Sequence, residues 1–309
     1  MRFDLKAVGR RLSPWGMVLA GYVPLVALGL LGAKLINDPL DRAVLLALQP
    51  DRYVPLLDEF IVLVTDYSVY TFSITILAWQ ITRLICWGRE TRLRRAFYVW
   101  RALAVVLGLF HASGLFFYEH GIFWWQQHEY RLVLPGLGLA FFTAFWMGAA
   151  TLRDWDRSTQ RRWSRVFWLT LLTVALSNGY GENYIKKTIA RPRPLAGANA
   201  PWNEQVRLIN DEVVRGGASY ISGHASSLFA LLTPAMWAAR RRKVKAGLAG
   251  WAAVHAYTRV YTAAHFPYCA LMGSLFGFAV GTLVYFSFRR WVDPQPDRVP
   301  SNPARSCAE

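Results

Sequence analysis

Cysteine is nearly absent: Cys86, Cys269 and Cys307 are the only three in 309 residues, far apart in the chain. They are too few and too scattered for a disulfide framework, so no disulfide is expected. Acid is scarce too, 19 Asp and Glu against 35 Lys and Arg, and charged residues of both signs make up only 17%. In a soluble chain a formal charge of +16 would suggest a nucleic-acid partner. Here the basic residues gather between apolar runs, which is the pattern of membrane orientation, so no nucleic acid is expected. The first apolar run lacks a small-residue cleavage site and is as long as a full span, and it reads as a retained signal anchor.

What the chain has in excess is apolar surface: 54% hydrophobic residues, 15% aromatic, and 14 Trp. With runs of about 20 apolar residues, this predicts an all-α, polytopic integral membrane protein of about eight spans. The expected spans cover about 15–36, 67–87, 97–118, 132–152, 166–185, 221–239, 246–264 and 268–288. Asn37-Asp38-Pro39 breaks the first, and residues 51–66 read as an amphipathic segment at the outer interface. The aromatic loop Glu119 to Glu129 has the character of an outer interfacial belt. Arginine clusters at 89–95, 153–165 and 240–245 fall between spans on one side, which places both termini in the cytoplasm and the long loop 190–220 outside. The expected domains are residues 1–160, an N-terminal transmembrane region; 161–292, a catalytic core; and 293–309, a disordered cytoplasmic tail.

The chemistry concentrates between Lys186 and Cys269, where polar segments meet the ends of apolar runs. Lys186, Arg193 and Arg259 supply fixed positive charge, while Ser222 with the Gly223 and His224 amides supplies neutral donors at a helix start, a set suited to cradling a phosphate. Two histidines, His224 and His265, suit covalent phosphoryl transfer, one imidazole attacking phosphorus and the other protonating the departing oxygen. Lys187 and Arg191 fit equally well as a headgroup-contacting collar. Glu182, one helical turn before Lys186, reads as its pairing partner. His111, His120, His128 and His255 read as polar anchors. A zinc site on His224, His265 and Cys269 is disfavoured by the surrounding cations, so no metal and no cofactor are expected.

Lys186 to Arg193-Pro194, Ser222-Gly223-His224, and Arg259 with His265 stand in the order and spacing of Lys-x6-Arg-Pro, Pro-Ser-Gly-His and Ser-Arg-x5-His-x3-Asp. In these residues the C-terminal third resembles the type 2 phosphatidic acid phosphatase (PAP2) superfamily. The resemblance implies a helical core that cleaves a lipid-linked phosphate at the outer face of a bacterial inner membrane. It gives His265 the role of nucleophile and His224 that of acid, and sets Lys186, Arg193, Ser222, Gly223 and Arg259 on the phosphoryl oxygens. The implied partners are a lipid phosphate and membrane lipids; the sequence names no protein partner.

Three positions depart from the pattern: Ile221 replaces Pro, Thr258 replaces Ser, and Cys269 replaces the Asp that hydrogen-bonds the nucleophilic histidine. A neutral thiol is a poor acceptor, so His265 is expected to be loosely held and turnover slow. Two compensations are open: a Cys269 thiolate held by cationic neighbours, or a loop carboxylate such as Asp211 or Glu212 folded over His265. The alternatives to a hydrolase are a lipid phosphotransferase using the same site and an impaired homologue that binds lipid phosphate or a partner.

Overall fold

The computed structural model describes residues 13–86, 90–113, 132–209 and 217–294. Among these, every regular element is helical, so the fold class is all-α. Helix α1 (Pro14–Gly32) starts where the Ser13 side chain accepts the Gly16 amide and Pro14 presets the first turn. Asn37-Asp38-Pro39 both ends that span and starts the next helix, because the Asn37 side chain caps the Leu40 amide of α2 (Asp38–Leu48). The long helices α3 (Leu57–Ile85), α4 (Glu90–Ser113) and α5 (Val133–Asp154) follow.

Helix α6 (Arg157–Val174) then passes without a break into a π-wound stretch, Ala175–Glu182, and on into α7 (Asn183–Ile189). Two 3₁₀ turns punctuate the next loop, and α8 (Gly223–Ala238), α9 (Arg242–Tyr261), α10 (Pro267–Ser287) and the short α11 (Arg289–Val292) complete the described chain.

The surface is that of a protein solvated by lipid. On α1, Leu19, Val23 and Leu28 are 65%, 67% and 60% exposed, a degree of apolar exposure that water would penalise and acyl chains do not. Helices α1, α4, α5 and α10 are long and apolar enough to cross a membrane, and α3, bent by 46° near residue 66, makes a fifth when counted as one span. The protein is an integral membrane protein.

Three further segments expected to span are shorter or more polar than these among the described residues. Helix α8 has only 16 residues, α6 opens with four arginines, and α9 carries Arg242, Lys243 and Lys245 at one end and His255 and Arg259 at the other. The interfacial helix is likewise displaced. Residues 51–56 are non-helical and 57–66 are the first turns of α3, whereas the amphipathic helix lying against loop 190–209 is α2. Of the tail and the aromatic belt, residues 295–309 and 114–131 lie outside the described residues.

Glycine sets the central contact. Gly273, Gly277 and Gly281 recur every four residues on α10, and an added Cβ at the first two would collide with the backbone carbonyls of Ser222 and Ser226 on α8. The third faces the Thr233 side chain. Where lipid is as apolar as leucine, close backbone approach through small residues is what drives helices together. This contact holds the N-terminus of α8 beside the start of α10. At the opposite end, Arg162 at the start of α6 donates to the Ala238 carbonyl at 2.7 Å and pairs with Asp293 at 2.6 Å.

Gly277→Val should therefore lower the thermal midpoint of the detergent-solubilised protein, followed by tryptophan fluorescence, by the equivalent of about 1–3 kcal/mol of overpacking. Gly247, with nothing within 4 Å of its would-be Cβ, is the control: Gly247→Ala should leave the midpoint unchanged or slightly raised. Equal midpoints for the two variants would mean that α8 and α10 are not in backbone contact.

Candidate active site

The loop after α7 turns at Ala190, in the left-handed region at φ 48°, and delivers Arg191 and Arg193 toward the starts of α8 and α10. A single antiparallel bridge, Pro192 to Ala218, closes this loop, with the Ser219 amide donating to the Arg191 carbonyl at 2.7 Å. Ser222 caps α8 through its side chain, 3.5 Å from the Ala225 amide, and its own amide donates to the Cys269 carbonyl at 3.0 Å. Those bonds fix the Ser222-Gly223-His224 turn at a helix N-terminus, where backbone amides point outward and an anion is favoured.

His265 sits between α9 and α10, 1% exposed, its amide donating to the Arg259 carbonyl at 3.0 Å. Its Nδ1 lies 2.7 Å from the Ser219 carbonyl oxygen. A carbonyl only accepts, so Nδ1 carries the proton and the lone pair is on Nε2. His265 is thus held in one tautomer by a backbone oxygen, contrary to the loose mounting expected from Cys269. Burial, then the charges of Arg259, Lys186 and Arg193, push its pKa well below the ordinary histidine value, so the ring is neutral.

His224 is solvent-exposed at the first turn of α8, and the same three cations, Arg259, Lys186 and Arg193, lie within electrostatic reach of it. The structure therefore gathers both histidines and all three basic residues singled out in the sequence. Arg259 is 6% exposed and donates from Nη1 to Thr65 Oγ1 at 2.8 Å; Thr258 donates to the same hydroxyl at 2.9 Å. Lys186 pairs with Glu182, which is 2% exposed and delivered by the π-wound turn. A Cβ at Gly223 would lie 2.8 Å from the Glu182 carboxylate, so this approach requires glycine.

Other sequence readings land differently. Cys269 is fully buried and accepts from Arg191 Nη1 at 3.1 Å, but the orienting partner of His265 is the Ser219 carbonyl and not the thiol. Arg191 is not a headgroup collar: it is 7% exposed, paired with Asp38 and Asp41, and stacked over Phe266 at 4.0 Å. Lys187 is exposed. His255, read as an anchor, is fully buried, holds the Val64 carbonyl at 3.0 Å and lies 6.3 Å from the His224 ring. His111 stacks on Phe141 within the N-terminal helices. Asp211, Glu212, His120 and His128 lie outside the described residues. Among the described residues no group of three or more His, Cys, Asp or Glu is arranged to hold a metal ion.

The residues that sequence reasoning missed are Asp41, Thr65 and Ser219. Ser219 acts through its backbone, which no side-chain pattern reveals, and Asp41 and Thr65 come from the N-terminal half, with no motif to mark them.

Comparison with known proteins finds similarity in this part of the chain. The family model described as the PAP2 superfamily matches residues 166–293. The chain is also similar to the lipid A 4'-phosphatase of Bacteroides thetaiotaomicron, with 28% identity over 115 residues, 37% of this chain and 50% of that protein. The chain thus spans about half the length of the curated relative it matches. No solved structure matches the chain. The stretch that matches the PAP2 superfamily, residues 166–293, is thus the one that carries the two histidines and the three buried or half-buried cations.

Proposed function

We propose that the protein hydrolyses a phosphate ester or diphosphate carried on a lipid, through a phosphohistidine on His265, with residues 161–292 as the catalytic core. The observation that carries this reading is the 2.7 Å bond from His265 Nδ1–H to the Ser219 carbonyl, which leaves the nucleophilic lone pair on Nε2 of a neutral ring. The cations Arg259, Lys186 and Arg193 hold the His224 pKa well below the ordinary histidine value before substrate binds. The bound phosphate's negative charge offsets them and lets His224 take up a proton. In the first step Nε2 of His265 attacks phosphorus, the bond to the leaving oxygen breaks, and that oxygen takes this proton from His224. In the second, water attacks phosphorus, gives its proton to His224, and the N–P bond breaks to release phosphate and restore neutral His265.

Lys186, Arg193, Arg259 and the amides of Gly223 and His224 neutralise the equatorial oxygens, with Ser222 setting the turn that aims those amides. The lipid A 4'-phosphatase relative favours a phosphorylated glycolipid as substrate; phosphatidic acid, phosphatidylglycerol phosphate and polyprenyl diphosphate offer the same terminal group.

The orientation follows from charge. The arginines that open α6 and those at 240–242 lie at one end of the bundle, and the histidines lie at the other, which supports cytoplasmic termini and a site on the outer face of a bacterial inner membrane.

Three measurements test this. Phosphate release from a panel of lipid A, phosphatidic acid, phosphatidylglycerol phosphate and undecaprenyl diphosphate should survive EDTA, vanish in His265→Ala, and slow by about 10²- to 10⁴-fold in His224→Ala. Release from none of the four sinks the hydrolase. A membrane-impermeant maleimide should label Asn203→Cys in intact cells; labelling only after permeabilisation reverses the orientation.

The third is pH. An unfolded histidine takes up its proton near pH ~6.5, but folded His265 does not, so below that pH the unfolded chain binds more protons and stability falls as pH falls. His265→Gln removes the effect, so the stability advantage of wild type over variant should shrink between pH ~7.5 and pH ~5.5. A constant difference would mean that His265 is not held neutral.

A further inference from the structure

We infer that Asp41, on α2 and outside the family match, is the positioning carboxylate of the His265 site, acting through Arg191. It deepens the phosphatase reading above and rests on it for its meaning, though not for its test.

Both Asp41 oxygens are committed. Oδ2 accepts from Arg191 Nη1 at 2.7 Å, and Oδ1 accepts the Tyr268 amide at 2.8 Å, in the first turn of α10. Arg191, gripped in this way, does three things at once. Its guanidinium lies over the Phe266 ring at 4.0 Å, it donates to Cys269 Sγ at 3.1 Å, and its backbone carbonyl takes the Ser219 amide at 2.7 Å. Ser219 in turn presents the carbonyl that fixes His265 Nδ1.

The carboxylate thus clamps His265 from both sides. Through Tyr268 and Phe266 it fixes the chain immediately after the histidine, and through Arg191 and Ser219 it fixes the acceptor that sets the tautomer. An acid at position 269 would hold such a histidine directly. Here position 269 is a thiol facing Arg191, and the acid stands one residue further out on a helix contributed by the N-terminal region. Asp41 is 5% exposed and Arg191 7%, so neither side chain has a solvent role that would otherwise explain it. A buried pair contributes little net stability compared with an apolar replacement, which leaves placement of the groups it holds as the better account of it.

The test uses the full-length protein in detergent with ¹⁵N-histidine NMR, the His265 signal being assigned by its loss in His265→Gln. Wild type should show one tautomer, protonated on Nδ1. Asp41→Asn keeps an acceptor for the Tyr268 amide but removes the negative charge that faces Arg191 Nη1, leaving only the exposed Asp38 on the guanidinium, and should give mixed tautomers, with kcat on the lipid the wild type cleaves falling by about 10- to 100-fold and KM unchanged. Cys269→Asp should gain nothing in the wild-type background, where Arg191 already holds Asp38 and Asp41 and a third carboxylate would crowd one guanidinium. In the Asp41→Asn background it should restore the single tautomer and most of kcat.

A lowered melting temperature in Asp41→Asn with the His265 signal unmoved would reduce Asp41 to a structural pair and overturn the inference. So would a gain from Cys269→Asp in the wild-type background, or its failure to restore the tautomer in Asp41→Asn. Because the NMR readout needs no turnover, a wild type that cleaves none of the four lipids would sink the phosphatase reading and leave Asp41 judged by the spectrum alone.

Discussion

A guanidinium buried in an apolar bundle is the constraint on which the rest of the site depends. Arg191 cannot lose its proton, and an unpaired charge at 7% exposure would cost several kcal/mol, so the fold has to bring it partners. Asp38 and Asp41 come from α2, Phe266 from the loop before α10, and Cys269 from α10 itself. Satisfying one cation therefore draws three separate segments to one point. The bonds that follow, Ser219 to Arg191 and His265 to Ser219, are then geometric consequences of where Arg191 must sit.

The N-terminal helices consequently do more than surround residues 166–293. Gln49 donates to the carbonyls of Arg207 and Tyr261, at 2.9 and 2.8 Å, and accepts the Arg207 amide at 2.8 Å. Asp58, fully buried, takes both ends of the Arg207 guanidinium and the Tyr261 hydroxyl. Thr65 holds Arg259 near the bend of α3. Each contact runs from residues before 70 to loop 190–209 or to the end of α9, so the surface facing the site from the front half is polar and buried while its lipid side is apolar. Helix–helix attraction in lipid is weak unless small residues or hydrogen bonds supply it. In this chain the hydrogen bonds that join the two halves also hold Arg259 and the start of α10 beside His265.

Much of this was legible in the sequence, and the exceptions share a cause. Lys186, Arg193, His224, Arg259 and His265 are marked by residue type and spacing, and the structure collects them. The small-residue repeat Gly273, Gly277, Gly281, which marks the α8 to α10 contact, takes its meaning only from the backbone carbonyls it meets in the fold. Segments 51–66 and 38–48 were confused because both alternate polar and apolar residues, and only the Asn37 cap with the following proline told where the amphipathic helix begins. The orienting partner of His265 was out of reach altogether. A motif lists side chains, and where position 269 lacks a carboxylate the motif reports a loss; the structure replaces that side chain with a carbonyl, which every residue possesses.

That substitution changes what the histidine can do. A carboxylate partner both orients an imidazole and stabilises its positive form; a neutral carbonyl orients it with less stabilisation of charge. On the proposed path His265 bears positive charge only while bonded to phosphorus, when three anionic phosphoryl oxygens lie beside it, and the cations Lys186, Arg193 and Arg259 serve those oxygens and not the ring. Between turnovers the same cations and the same burial hold the ring neutral, the form that attacks. A site whose nucleophile is kept uncharged by its neighbours has no use for a strong base behind it. What it needs is a fixed tautomer, and a backbone oxygen locked to Arg191 supplies that without adding negative charge that would repel the incoming phosphate.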